Sequence, residues 1–190
     1  MDRFTQRKND CLGKLDKSSK GSWDKPILKL CEKLNSFSDY YTTSSCSGRV
    51  SLMIEQEKKA KGNILFSAHE VINFADLEEE ITKILENKNL KNKFIKFKLE
   101  APILHLACRD LSSAKKFSEF AKVSGWKRIG LISFEKNFVL ELNSTEKIEF
   151  PIINNGKVLV DSHFLKLIVL ESEKKMKKGW EKIDKLVKIL

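Results

Sequence analysis

Hydrophobic residues recur along this chain with two periods in turn. Ile27, Leu28, Leu30, Cys31 and Leu34 lie three and four apart and predict one apolar helix face. Pro26 suits that helix's first turn, and Asp24 is its expected cap. The polar stretch before it, with Gly13 and Gly21, predicts one short helix and then a loop over 18–22. Residues 36–48 have little periodicity and many hydroxyls, and predict a structured loop. The period then drops to two. Val50, Leu52 and Ile54 predict a strand, 55–62 a charged hairpin or loop, and 63–69 the returning strand. Leu77, Ile81, Ile84 and Leu85 predict the inward face of a helix over 76–86.

Ile95, Phe97 and Leu99 alternate with Lys96 and Lys98 and predict a further strand; residues 103–108, after Pro102, predict the next. Ser112 or Ser113 is the expected cap of a helix with Phe117, Phe120 and Ala121 on its buried side and Gly125 as its stop. Residues 128–134 and 137–143 predict a strand pair, and Asn155-Gly156 a hairpin turn before 157–160. Asp161 is the expected cap of a last helical region running to Leu190, with Gly179 as the place for a break. Strand pairs with short links between helices predict an α+β fold with a mixed, largely antiparallel sheet. No Gly-rich fingerprint follows a strand, so a doubly wound, Rossmann-type nucleotide fold is not expected. Length and pattern suit a single domain over 1–190, or two intertwined α+β subdomains.

Charge narrows the class of partner. Lys+Arg is 36 against 26 for Asp+Glu, a net charge of +10. An excess of this size favours a polyanion, because each neutralised phosphate releases a counterion; a solubilising lysine surface is the alternative. The first ten residues have no apolar core for a signal peptide, and the apolar run 164–170 is broken by Lys166, so a cytoplasmic protein without a membrane span is expected. The four cysteines form no C-x-x-C pair, and the three histidines have no ligand spacing, so free thiols and no metal are expected.

The densest candidate chemistry is Ser44-Ser45-Cys46-Ser47-Gly48-Arg49. Small hydroxyl residues beside glycine let a backbone turn tightly and present N–H groups to an anion. Arg49 offers a fork for a carboxylate or phosphate, and Cys46 a nucleophile if its thiol is acidified. Taken alone, the stretch reads first as an ordinary serine-rich turn before a strand. His69 and His105, both at predicted strands, are acid–base candidates; His163 reads as structural or exposed. Trp23 sits among Lys14, Lys17, Lys20 and Lys25 and is the better tryptophan for stacking on a base, with partial burial as the alternative.

From Thr42 to Arg49 the chain resembles the tRNA wybutosine-synthesising protein 3 family, whose S-x-S-S-C-x-G-R signature it matches with Thr42 in place of the first serine. Lys20-Gly21-Ser22-Trp23-Asp24, Ser67-Ala68-His69-Glu70 and the run from Pro102 through His105 to Cys108-Arg109 are similar to further family motifs in the same order, and Ala114, Gly125-Trp126 and Pro151 fall where that pattern expects them. The resemblance implies an S-adenosylmethionine-dependent N-methyltransferase that lacks the doubly wound fold. Its substrate would be the 4-demethylwyosine-type base beside the anticodon in the anticodon stem-loop of tRNA(Phe). Under it, Ser44, Ser45, Cys46, Gly48 and Arg49 would hold the cofactor, His105 and His69 would be the proton acceptors, with Asp24 as a third choice, and Lys20, Trp23, Asp24 and Arg109 would meet the substrate. Cys46 would be a packed small residue, since direct methyl transfer forms no enzyme-bound intermediate. A non-catalytic tRNA-binding protein and a Cys46–His105 enzyme are the rivals.

Overall fold

A computed structural model describes residues 2–14, 23–55, 62–134 and 138–190. The expected loop over 18–22, Lys20 with it, and most of the expected link over 55–62 lie outside the described residues. The chain forms two compact units. The first takes residues 1–47, 102–145 and 179–190; the second takes 48–101 and 146–178. Among the described residues every strand pair is antiparallel, and the architecture is α+β.

The first unit is built on β1 (Tyr40–Cys46), β5 (Ile103–Cys108), β6 (Arg128–Ser133) and β7 (Phe138–Asn143), in the order β1-β5-β7-β6. One face of this sheet is apolar. Leu104, Leu106, Leu140 and Leu142 meet Ile27, Leu30 and Leu34 of α2 (Lys25–Ser36), Phe117 of α4 (Leu111–Val123), and Ile183 and Leu186 near the end of α5 (Ser162–Ile189). Each of these side chains contributes about 1.5–3 kcal/mol by leaving water. Leu28, expected on the buried face of α2, is 36% exposed. Asp110, not Ser112 or Ser113, caps α4: its carboxylate accepts from the Ser113 N–H at 2.7 Å. A carboxylate one residue ahead of the helix outcompetes the serine hydroxyls for that orphan amide.

The expected loop over 36–48 is instead mostly strand. Tyr40, Thr42 and Ser45 share a face with Cys108, Leu106 and Leu104, while Tyr41, Ser44 and Cys46 share the other face with Ala107, His105 and Ile103. A bulge at Thr43 puts the inward residues out of step. The inward hydroxyls are also satisfied by α2 rather than by apolar contact. Asn35 Nδ2 donates to the Thr42 hydroxyl at 3.0 Å while its Oδ1 accepts from the Thr42 N–H at 2.8 Å, and the Cys31 thiol donates to Ser45 Oγ at 3.5 Å. A strand with polar inward residues and a broken period carries no hydrophobic alternation to read.

The second unit's sheet has the order β3-β2-β4-β8-β9, from β2 (Arg49–Ile54), β3 (Ile64–Ala68), β4 (Phe94–Glu100), β8 (Ile148–Asn154) and β9 (Lys157–Val158). Asn155 (φ 48°) and Gly156 (φ 69°) form the expected left-handed two-residue turn between β8 and β9. α3 (Phe74–Glu86) starts on a capping box between Asn73 and Asp76 and buries Leu77, Ile81 and Ile84; Leu85, expected inward, is 41% exposed. α5 does not break at Gly179. Glycine there answers to packing: a Cβ would come within 2.8 Å of the Pro102 ring.

Candidate active site

In the first unit Asp24 and Ser47 make one buried construction. Asp24 stands at the N-cap of α2 but makes no capping bond with its side chain. Its Oδ2 accepts instead from the Ser47 N–H at 2.9 Å and from the Ser47 hydroxyl at 3.1 Å. The Ser47 carbonyl accepts from Trp180 Nε1 at 3.0 Å. Every polar group of Ser47 is therefore fixed, as a fully buried serine requires. Sequence reasoning missed Trp180, whose role depends on a contact 133 residues away in the chain. Trp23, just before Asp24, is 39% exposed.

β1 is an edge strand, so the sheet uses only one row of its backbone groups. The outward side of the sheet carries a polar row. Ser44 of β1 stands opposite His105 of β5, His105 opposite Glu141 of β7, and Glu141 opposite Gly130 of β6. His105 Nε2 lies 2.9 Å from Glu141 Oε2, and the two side chains are 27% and 35% exposed. Glu141 is a second residue that sequence reasoning missed. The only signal was an acid alternating with Leu140 and Leu142, and nothing local said which strand would face it. Cys46 is half-buried on this same outward face.

Arg109 ties down the N-terminal helix α1 (Arg3–Leu12). Its Nε donates to Asp39 at 3.0 Å, Nη1 to Asp2 at 3.1 Å, Nη2 to the Ser38 carbonyl at 3.0 Å, and its Cζ stands 4.8 Å from the Phe4 ring centre. The Thr5 backbone N–H, and then Arg109, hold the Asp2 carboxyl down at about 2. Burial pushes the Cys31 thiol up to about 11 and the Cys108 thiol up to about 12, so neither is poised as a nucleophile.

In the second unit Gly48 is buried with φ 95°, a left-handed conformation that resists a side chain. Arg49, at the start of β2, pairs through Nε with Glu100, its register neighbour on β4. Val50 stands opposite Ala68, so His69 comes to the same end of the β2–β3 pair as Arg49. His69 is half-buried. The structure thus pairs Ser44 with His105 and Asp24 with Ser47 in one unit, and sets Gly48, Arg49 and His69 in the other. A separate cleft of about 400 Å³ in the second unit, lined by Val71, Phe74, Lys166, Val169 and Leu170 among others, contains none of the expected site residues.

Among the described residues, an antiparallel α+β architecture without a strand–glycine–helix phosphate loop stands apart from doubly wound nucleotide-binding proteins. Residues 6–190 match the family described as Methyltransferase TYW3, and the chain belongs to that family. It is 36% identical over 165 residues to a Methanocaldococcus jannaschii protein named tRNA(Phe) 7-((3-amino-3-carboxypropyl)-4-demethylwyosine(37)-N(4))-methyltransferase, covering 85% of this chain and 82% of that one. A Danio rerio protein named tRNA wybutosine-synthesizing protein 3 homolog is 30% identical, covering 100% and 75% respectively. The solved structure of the PH1069 protein from Pyrococcus horikoshii superimposes with a TM-score of 0.86 at 29% identity, covering 97% of this chain and 92% of that one. No described helix is long and apolar enough to cross a membrane.

Proposed function

We propose that this methyltransferase N-methylates a ring nitrogen of the 4-demethylwyosine-type base in the anticodon stem-loop of tRNA(Phe), in the cytoplasm, with S-adenosylmethionine as donor. The observation that carries this reading is the family match over 6–190 together with relatives of that printed name across most of the chain. The chemistry of the donor set supports the cofactor. An amino-acid ligand needs a cation for its carboxylate and hydroxyl or backbone partners for its ammonium. The segment from Ser44 to Arg49 offers a guanidinium, exposed Ser44, half-buried Ser45 and Cys46, and the turn at Gly48. When bound, S-adenosylmethionine supplies an electrophilic methyl group on a sulfonium.

The chain's own contribution is placement and proton acceptance. Direct transfer gains most from a near-attack geometry. His105 takes the ring N–H proton; His69 is the second choice. Asp24 acts through Ser47 rather than on the substrate, because its buried carboxylate already accepts two hydrogen bonds. Arg109 acts through α1 for the same kind of reason. Exposed lysines and Trp23 meet the phosphates and bases of the stem-loop, with the target base extruded.

Calorimetry with S-adenosylmethionine, with and without tRNA, tests the cofactor assignment. Saturable binding that Arg49→Ala weakens is expected. Absence of binding under both conditions would sink it.

A further inference from the structure

The row Ser44–His105–Glu141–Gly130 crosses the sheet of the first unit on its outward side. Its centre is the contact of His105 Nε2 with Glu141 Oε2 at 2.9 Å. For a neutral imidazole beside an ionised carboxylate, which can only accept, this contact places the hydrogen on Nε2 and leaves the lone pair on Nδ1. Neighbouring strands hold both side chains, so the ring orientation is set by the sheet rather than by a loop. Gly130 completes the row without a side chain, and a Cβ there would meet nothing within 4 Å. The outward side next to Glu141 is therefore not filled from β6.

We infer that Glu141 is the positioning residue for the proton acceptor, fixing the His105 tautomer so that Nδ1 faces the base being methylated. The inference rests on the proposed role of His105. As the ring nitrogen takes the methyl group, the C–S bond breaks with its electron pair staying on sulfur. The N–H proton passes to Nδ1 of His105. The positive charge leaving sulfur thus ends on the imidazolium, where Glu141 balances it. A partly exposed pair of this kind contributes little to stability, so a role confined to holding the fold would leave catalysis untouched.

The test compares Glu141→Ala, Glu141→Asp and His105→Ala in methyl transfer to tRNA(Phe) carrying the unmethylated base, beside nitrogen-15 spectra of the His105 ring. Glu141→Ala should lower kcat by about 10- to 100-fold with KM and unfolding midpoint unchanged, as loss of an orienting partner does. Glu141→Asp should recover part of the rate. The wild-type ring should carry its hydrogen on Nε2, and Glu141→Ala should mix the tautomers. A wild-type kcat in Glu141→Ala while His105→Ala is slow would overturn the positioning role alone. A wild-type rate in His105→Ala would overturn the acceptor role beneath it. A wild-type ring protonated on Nδ1 would overturn the inference even if the variants failed to fold.

Discussion

At the scale of single residues, the candidate segment around Ser47 is held by groups that a motif does not display. Asp24 reads as a helix cap or a substrate ligand, yet its side chain anchors Ser47. Removing it strands a buried amide and a buried hydroxyl. Asp24→Ala should destabilise the protein by about 1–3 kcal/mol in urea unfolding; an unchanged midpoint would show that water replaces the carboxylate. Gly179 was legible as unusual but not for its reason. It sits inside a continuous helix because the Pro102 ring leaves no room for a Cβ. Gly179→Ala should therefore cost about 1–3 kcal/mol by overpacking, although alanine is the better helix former. The cysteines divide by environment. Cys31 and Cys108 are fully buried with raised thiols, whereas Cys11 and Cys46 are half-buried. Native alkylation followed by peptide mass analysis should leave Cys31 and Cys108 unmodified until the fold is opened.

At the scale of elements, periodicity located what it physically encodes. α2, β2, α3, β4 and β5 each bury a face of regular spacing, and each was readable from that spacing. β1 was not, because a bulge and hydroxyl-to-helix hydrogen bonds replace its apolar alternation. β1, which carries most of the candidate segment, was thus the element least legible in the sequence, and the register that brings Ser44 to His105 and His105 to Glu141 is a long-range fact no local pattern holds. α1 gives an element-scale prediction. It has no fully buried residue of its own and is fastened through Arg109, Asp2 and Phe4. The Asp2 carboxyl lies at about 2 in the fold against an ordinary 3.8. Its contribution is therefore present above 3.8 and lost as pH falls through about 2. Backbone resonances of α1 should move in that window ahead of those of β5; α1 and β5 moving together would show that Asp2 is not the fastening.

At the scale of the whole molecule, the fold class and the family were open to sequence reasoning, for different reasons. The alternation of strand pairs with helices encodes α+β architecture, and two antiparallel sheets are what it becomes. The excess of 36 basic over 26 acidic residues favours a polyanionic partner over a merely solubilising surface only weakly, and names none. Binding to tRNA should weaken linearly in log affinity with log salt. The family came instead from an order of short motifs, and the family match extends over nearly the whole chain. The most direct measurement is nucleoside mass analysis after the purified protein is incubated with S-adenosylmethionine and tRNA(Phe) bearing the 4-demethylwyosine-type base. This base is expected to gain the mass of one methyl substitution. An unaltered base, in a reaction where the Methanocaldococcus jannaschii relative converts it, would show that this chain does not methylate it.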